Sequence, residues 1–281
     1  VLWVNGELVV LDGSLKRGPT PVDSYYDTVE LDLKAGENVI AVLVAFNGRS
    51  GDGSIVPMVI DSEGDEYTQA GFLFEMNAGG TVIKSDGTWK AQRHNGYKNR
   101  VTGGADYVRY DLPSMLAERN VWYNAADSIG DFTSAGYDDS AWENATLIAK
   151  PGDKPFGDLY SAMISVPKFD ELTDFASVPA ETLAEDTVIT LDLPGNMQFT
   201  WYIELEAPAG KKLTVYTDTF KYRDNASNFK DTYITAEGAQ SYENWPWRSG
   251  SKLIIEAEAG VKFTRIAYRV SGFNGQLAGS F

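Results

Sequence analysis

The sequence contains no cysteine and a single histidine, His94. Without thiols there is no disulfide framework, no thiolate nucleophile and no cysteine-ligated zinc site. With one imidazole there is no histidine-pair metal site, and only one candidate base for a Ser/His mechanism. That residue lies in Arg93-His94-Asn95-Gly96, a polar stretch that reads as a surface loop. Basic residues are outnumbered, 24 Lys and Arg against 40 Asp and Glu, and a net charge of −16 repels a phosphate backbone. The apolar runs are too short to cross a bilayer, so neither nucleic acid nor membrane is expected as a partner. Glycine-rich phosphate loops, nucleophile elbows and histidine zinc motifs are missing: the glycines fall in turns between strands. Helical pattern is scarce as well, its best stretch being about two turns at 113–119. No fixed period suggests a solenoid or propeller.

What the sequence does have is period-two alternation punctuated by Gly, Asn, Asp and Pro, which predicts an all-β protein. Leu2-Trp3-Val4 runs through Asn5-Gly6 into Leu8-Val9-Val10-Leu11, the strongest short-range hairpin signal. A sheet normally supplies partners ahead of such a start, so the chain is expected to be part of something longer. Val29, Leu31 and Leu33 alternate with charged residues and predict a half-exposed strand leading, through Ala35-Gly36-Glu37-Asn38, to a buried one at 39–44. Further strands are expected at 56–60, 71–76, 81–84 and 107–110. Between 150 and 181 the alternation lapses and Pro151, Pro155, Pro167 and Pro179 gather, as in an interdomain segment. Beyond it strands are expected at 187–193, 199–206, 213–217, 233–235, 252–257 and 262–270. A length of 281 residues accommodates two cores. The predicted architecture is two tandem antiparallel β-sandwiches of jelly-roll type, 1–150 and 181–281, joined by a linker at 151–180.

Trp245-Pro246-Trp247 sets two large aromatics around a proline in a loop, where their flat faces suit either stacking on a sugar ring or packing on a neighbouring domain. Trp201-Tyr202, in an alternating strand, sends one ring to each face, so at least one is core and Trp201 is the third candidate sugar contact. Asp138-Asp139 offers a carboxylate pair for calcium, or caps for backbone amides in a turn. Trp142 and Trp89 each follow a short Asp-containing turn and are expected as core anchors. Glycoside hydrolysis needs only two carboxylates across a sugar ring, and forty acids offer too many pairs for spacing to choose among.

Four stretches together resemble the large bacterial α-L-rhamnosidases. The first is Leu2-Trp3-Val4-Asn5-Gly6 with Tyr25-Tyr26-Asp27-Thr28 and the run from Leu33-Lys34-Ala35-Gly36 to Ile40-Ala41-Val42, similar to that family's N-terminal, galactose-binding-like sandwich. The second and third are Ser85-Asp86-Gly87-Thr88-Trp89-Lys90 and Asp138-Asp139-Ser140-Ala141-Trp142. The fourth, Asp192-Leu193-Pro194-Gly195-Asn196 through Pro208-Ala209-Gly210-Lys211 and on to Tyr268-Arg269-Val270-Ser271-Gly272-Phe273, resembles the family's concanavalin-like domain. Gln198-Phe199-Thr200 departs from it where a glycine is expected, which implies a divergent branch. The resemblance implies that the acid and base of an inverting α-L-rhamnosidase lie on an α/α barrel absent from this chain, with Gly279-Ser280-Phe281 leading toward it. By the same resemblance this chain is non-catalytic, packs on that barrel and positions rhamnose-containing oligo- or polysaccharide. No cofactor is required, calcium is possible with Asp27 as candidate ligand, and the setting is bacterial, periplasmic or extracellular. Two other readings stay open: an independent carbohydrate-binding module, and an adhesin-like surface scaffold, against which the lack of long Thr/Ser-rich repeats counts.

Overall fold

The computed structural model describes residues 1–11, 18–20, 22–45, 71–98, 121–154, 156–163, 166–219, 221–222, 226–227, 230–273 and 275. The strands expected at 56–60 and 107–110 and the short helix at 113–119 lie outside these residues. Among the described residues the only helical feature is one 3-10 turn, Ala125–Asp127, and the all-β class holds.

Strands before residue 150 are short: β1 (Leu2–Val4), β2 (Glu7–Val10), β3 (Ser24–Tyr26), β4 (Ile40–Val42), β5 (Glu75–Ala78), β6 (Thr81–Lys84), β7 (Lys90–Ala91), β8 (Trp122–Asn124) and β9 (Glu143–Asn144). They are followed by β10 (Leu159–Ser161), β11 (Lys168–Phe169) and β12 (Thr173–Asp174). Longer strands come next: β13 (Thr187–Ala207), β14 (Lys212–Thr217), β15 (Lys221–Tyr222), β16 (Ala226–Ser227), β17 (Lys230–Ile234), β18 (Gly238–Glu243), β19 (Arg248–Ala257) and β20 (Lys262–Gly272).

The opening hairpin forms as Asn5-Gly6 dictates. Both residues adopt positive φ, 53° and 81°, the geometry of the tight turn whose twist matches its strands. The Asn5 carboxamide also accepts the Val39 N–H at 3.0 Å, which ties the turn to the entry of β4, antiparallel to β1. The strand expected over 29–33 does not form: residues 27–34 carry no strand, and Val29 and Leu33 are exposed. Alternation there has no partner sheet among the described residues to act on. The second and third family-like turns sit side by side, because β7 and β9 pair antiparallel just after Trp89 and Trp142.

A nine-stranded sheet dominates the molecule, in the order β11-β20-β13-β19-β14-β17-β8, with β12 beside β20 and β18 beside β13. Its spine is β13, which merges two expected strands into one of 21 residues. Residues 187–192 pair with β19, and 199–206 pair with β20 while 202–207 also take β18. Between Asp192 and Met197 the register with β19 shifts. Pro194 sits in that break, where its missing N–H costs no ladder bond. The strand keeps β19 beside it on both sides of that shift, at 187–192 and at 197–199, and its inward residues serve a single core. Ile189, Leu191, Phe199, Trp201, Ile203 and Leu205 of β13 share one buried cluster with Leu213, Val215, Leu253, Ile255, Phe263 and Ile266. Strands of the earlier chain complete this sheet: β8 pairs parallel with β17, and β11 and β12 pair with β20.

Candidate functional site

The Trp245-Pro246-Trp247 segment links β18 to β19, and its foundation is Asp231 on β17. The Asp231 carboxylate is 1% exposed and accepts hydrogen bonds from Arg248 Nε at 3.1 Å and from Arg248 Nη2. It also accepts from Trp201 Nε1 and Asn244 Nδ2, both at 3.1 Å, and from the Val121 N–H at 2.9 Å. Asn244 donates again to the Pro246 carbonyl, and Arg248 to the Trp247 carbonyl. Both ends of the Trp-Pro-Trp loop are thus pinned to one buried carboxylate, a saturated ion pair of the kind a protein interior tolerates.

Trp201 belongs to this foundation and not to a sugar-binding surface. It is 1% exposed, its indole N–H is committed to Asp231 and its ring packs on Tyr242, so no ring can stack on it. Strand alternation cannot tell which of Trp201 and Tyr202 faces the core, and the structure assigns Trp201. Trp245 and Trp247 remain half-buried. Trp245 packs edge-on against Trp3 of β1 with centroids 5.0 Å apart, so one ring joins the C-terminal sheet to the opening hairpin.

Both tryptophans line an open cleft of about 240 Å³. Leu11, Pro167 and Phe273 supply the rest of its apolar wall, and Phe273 is 73% exposed. Among the described residues Gln198 and Ser271 bring polar side chains to it, their amide and hydroxyl 3.5 Å apart. Gln198 opens the Gln198-Phe199-Thr200 stretch that departs from the family pattern where a glycine was expected. On the same strands lies a neutralised charge pair: Arg269 reaches Glu243 with Nε at 2.8 Å and Nη2 at 3.2 Å, and Thr200 donates to the same carboxylate at 2.8 Å. Leu11, Pro167, Gln198, Ser271 and Phe273 come from four separate segments. Only the Trp-Pro-Trp loop announced the cleft locally.

Asp27 is half-buried directly after β3, and among the described residues no group of three or more His, Asp or Glu side chains could hold a metal ion. Asp138 acts as a turn cap: its Oδ1 accepts the Ser140 N–H at 3.0 Å, and hydrogen bonds from Ser140, side chain first, hold its pKa below the usual value. Asp86 does the same through Thr88. Trp89 and Trp142 anchor small half-buried clusters, with Phe72 and Phe74 around the first and Tyr137 and Phe132 around the second.

His94 is half-buried against Tyr97, Tyr123 and Phe132 rather than fully on the surface, and burial lowers its pKa. Next to it burial raises the phenols of Tyr97, Tyr123, Tyr233 and Tyr242. This is a packed aromatic cluster, with its rings 4.4–5.7 Å apart, in which Tyr97 joins Tyr123 of β8, Tyr233 of β17 and Tyr242 of β18. No helix among the described residues is long and apolar enough to cross a membrane.

No protein-family model matches the sequence, and no curated protein does. Solved structures do match in fold. A GH78 family rhamnosidase of Bacillus sp. GL1 superposes with a TM-score of 0.66 at 14% identity, over 100% of this chain and 51% of its own. An α-L-rhamnosidase of Streptomyces avermitilis, solved with L-rhamnose, gives 0.60 at 17% over 98% and 26%. That of Dictyoglumus thermophilum gives 0.55 at 20% over 97% and 29%. This chain spans about half of the first and under a third of the other two. Its fold is similar to that of a part of these rhamnosidase chains.

Proposed function

We propose that this chain is a non-catalytic β-sandwich portion of an α-L-rhamnosidase-like glycoside hydrolase, packing on a catalytic α/α barrel and positioning rhamnose-containing glycans. The observation that carries the reading is the fold match over 97–100% of this chain to three chains that are each much longer. Two of the three buried acids among the described residues fit a structural role, since Asp231 and Glu243 are each engaged by an arginine. A general acid or base has to be reachable by its substrate. We place the sandwich boundaries at 1–150 and 181–281, with β8 of the first and β11 and β12 of the linker lent to the sheet of the second, the setting in a bacterial periplasm or outside the cell, and calcium as an optional ligand near Asp27. The test is an assay of the purified chain against an aryl α-L-rhamnoside. No turnover above background is expected, and clear turnover would overturn the non-catalytic role.

A second reading, an independent carbohydrate-binding module, is favoured by the cleft of Trp245, Trp247 and Phe273. Titration of the chain with rhamnogalacturonan fragments, with and without calcium, separates the two. Binding by the isolated chain that matches the longer protein's supports the module. Binding only when the remaining polypeptide is present supports the positioning role.

A further inference from the structure

Aromatic packing fixes the residue at position 96. A Cβ there would come within 2.7 Å of Tyr123 Cε2 and 3.0 Å of His94 Cε1, so the cluster leaves room for glycine alone. Gly96 follows Asn95, and an Asn-Gly pair is reactive: with no side chain to hinder it, the glycine nitrogen can attack the preceding carboxamide and close a succinimide ring. Two features of the fold bear on that reaction. The Asn95 side chain is exposed in a turn closed by the Tyr97 N–H on the His94 carbonyl at 3.2 Å, and among the described residues no partner holds its carboxamide. The Gly96 N–H, which carries the nucleophile, donates to His94 Nδ1 at 3.2 Å, within the reach of a general base. Burial lowers the His94 pKa, so at neutral pH the imidazole is unprotonated and able to accept that proton. Asn5-Gly6 is the same dipeptide without this arrangement. Asn5 Oδ1 accepts the Val39 N–H and its Nδ2 donates to Asn38 Oδ1, each at 3.0 Å, which keeps the carboxamide from turning toward the Gly6 nitrogen.

We propose that Asn95-Gly96 is a site of self-catalysed deamidation, with His94 as its base. His94 Nδ1 takes the proton from the Gly96 nitrogen as that nitrogen bonds to Asn95 Cγ. The Cγ–Nδ2 bond then breaks, the proton leaves on the departing ammonia, and a succinimide remains. Water opens the succinimide at either carbonyl to give aspartate or isoaspartate, so the net change is carboxamide and water to carboxylate and ammonium. The titratable groups whose rings pack on His94, Tyr97 and Tyr123, are phenols that burial keeps neutral, so among them only His94 changes charge near neutrality. The product places a carboxylate beside His94, which favours its protonated form. Isoaspartate also lengthens the backbone of a turn in which the Gly96 carbonyl accepts the Asn124 N–H at 2.8 Å and Tyr97 bridges to Tyr123. The modification therefore loosens the joint between this turn and β8. It is independent of the rhamnosidase-related reading.

The experiment holds the full chain at neutral pH and follows each Asn-Gly pair by tryptic peptide mapping, with mass spectrometry and chromatography that separates isoaspartate. Trypsin frees residues 94–98 by cutting after Arg93 and Lys98. Asn95 is expected to gain one mass unit about tenfold faster than Asn5, or more. In His94→Gln, which keeps a hydrogen-bond acceptor and removes the base, the rate at Asn95 should fall about tenfold. The rates at Asn47 and Asn274, whose Asn-Gly pairs follow a phenylalanine, should not change. The unsubstituted chain supplies a readout that no folding defect of the variant can cloud. Its rate at Asn95 should climb with pH while His94 loses its proton, below 6.5, and level off above, whereas the rate at Asn47 should keep climbing with hydroxide. Conversion of Asn95 no faster than that of Asn5 would overturn the site. An unchanged rate in a folded His94→Gln protein, or parallel pH profiles at Asn95 and Asn47, would overturn the part played by His94.

Discussion

Asp231 is 1% exposed and receives donors from Arg248, Trp201, Asn244 and the backbone of Val121, so its buried charge is compensated by the Arg248 guanidinium. Removing one member leaves a buried charge without its counterpart, a loss of about 3–5 kcal/mol. Asp231→Ala is therefore expected to lower the unfolding free energy by that amount in urea titrations. The double change Asp231→Leu with Arg248→Met should lose much less, because no charge is stranded. The phenols give a second handle. Tyr97, Tyr123, Tyr233 and Tyr242 are raised above their ordinary 10.0 by burial, and Tyr216 is pushed up to about 12 by burial and then by Glu256. The fold holds these protons more tightly than the unfolded chain does. Their contribution is complete below pH 10 and is lost as pH rises toward the folded values. Chemical denaturation followed across that range should show stability falling, and phenolate absorbance appearing together with unfolding. His94 acts in the opposite window: burial depresses its pKa, so its contribution is present above 6.5 and declines as pH falls below it.

At the scale of elements, two joints are decided by backbone geometry. Gly157, at φ 61°, lies where a Cβ would come within 2.0 Å of the Val22 carbonyl, beside the parallel pair of β3 and β10. Gly157→Ala is expected to break that pairing, seen as faster amide exchange at Ser24–Tyr26 and Leu159–Ser161. Asn5→Ala would put a residue that disfavours positive φ at the first position of the opening turn and deprive the Val39 N–H of its acceptor, with an expected loss of about 1–2 kcal/mol in thermal or urea unfolding. The Asn5-Gly6 hairpin was legible in the sequence because turn chemistry is local. So were β6, β14 and the alternation of β19 and β20. The merging of two strands into β13 was not, since Pro194-Gly195 reads as a turn, and only the paired neighbours show a break in register instead. Strand β18 escaped because Ala239, Gln240 and Ser241 carry no apolar alternation. The Trp-Pro-Trp loop was visible as a site, whereas Gln198, Ser271 and Phe273 join it only through tertiary convergence, and Trp201 was misassigned because alternation is blind to which face is buried.

For the molecule as a whole, the main sheet borrows strands from far upstream, with β8 at one edge and β11 and β12 alongside β20. Residues 181–281 expressed alone should therefore bare the β17 edge, Tyr233 and the Asp231 site, and bind a hydrophobic dye that the full chain does not. Adding back the preceding segment in the same polypeptide should reverse this, which also tests the boundaries proposed above. The parallel ladder between β8 and β17 has a consequence for how the protein comes into being. Val121 and its partner Asp231 are 110 residues apart, so during synthesis the strand around Trp122 and Tyr123 waits unmatched until the stretch that will flank it has been made. Contacts of such long sequence separation form slowly and leave sticky edges exposed meanwhile, so refolding should be slow and its yield should fall as protein concentration rises.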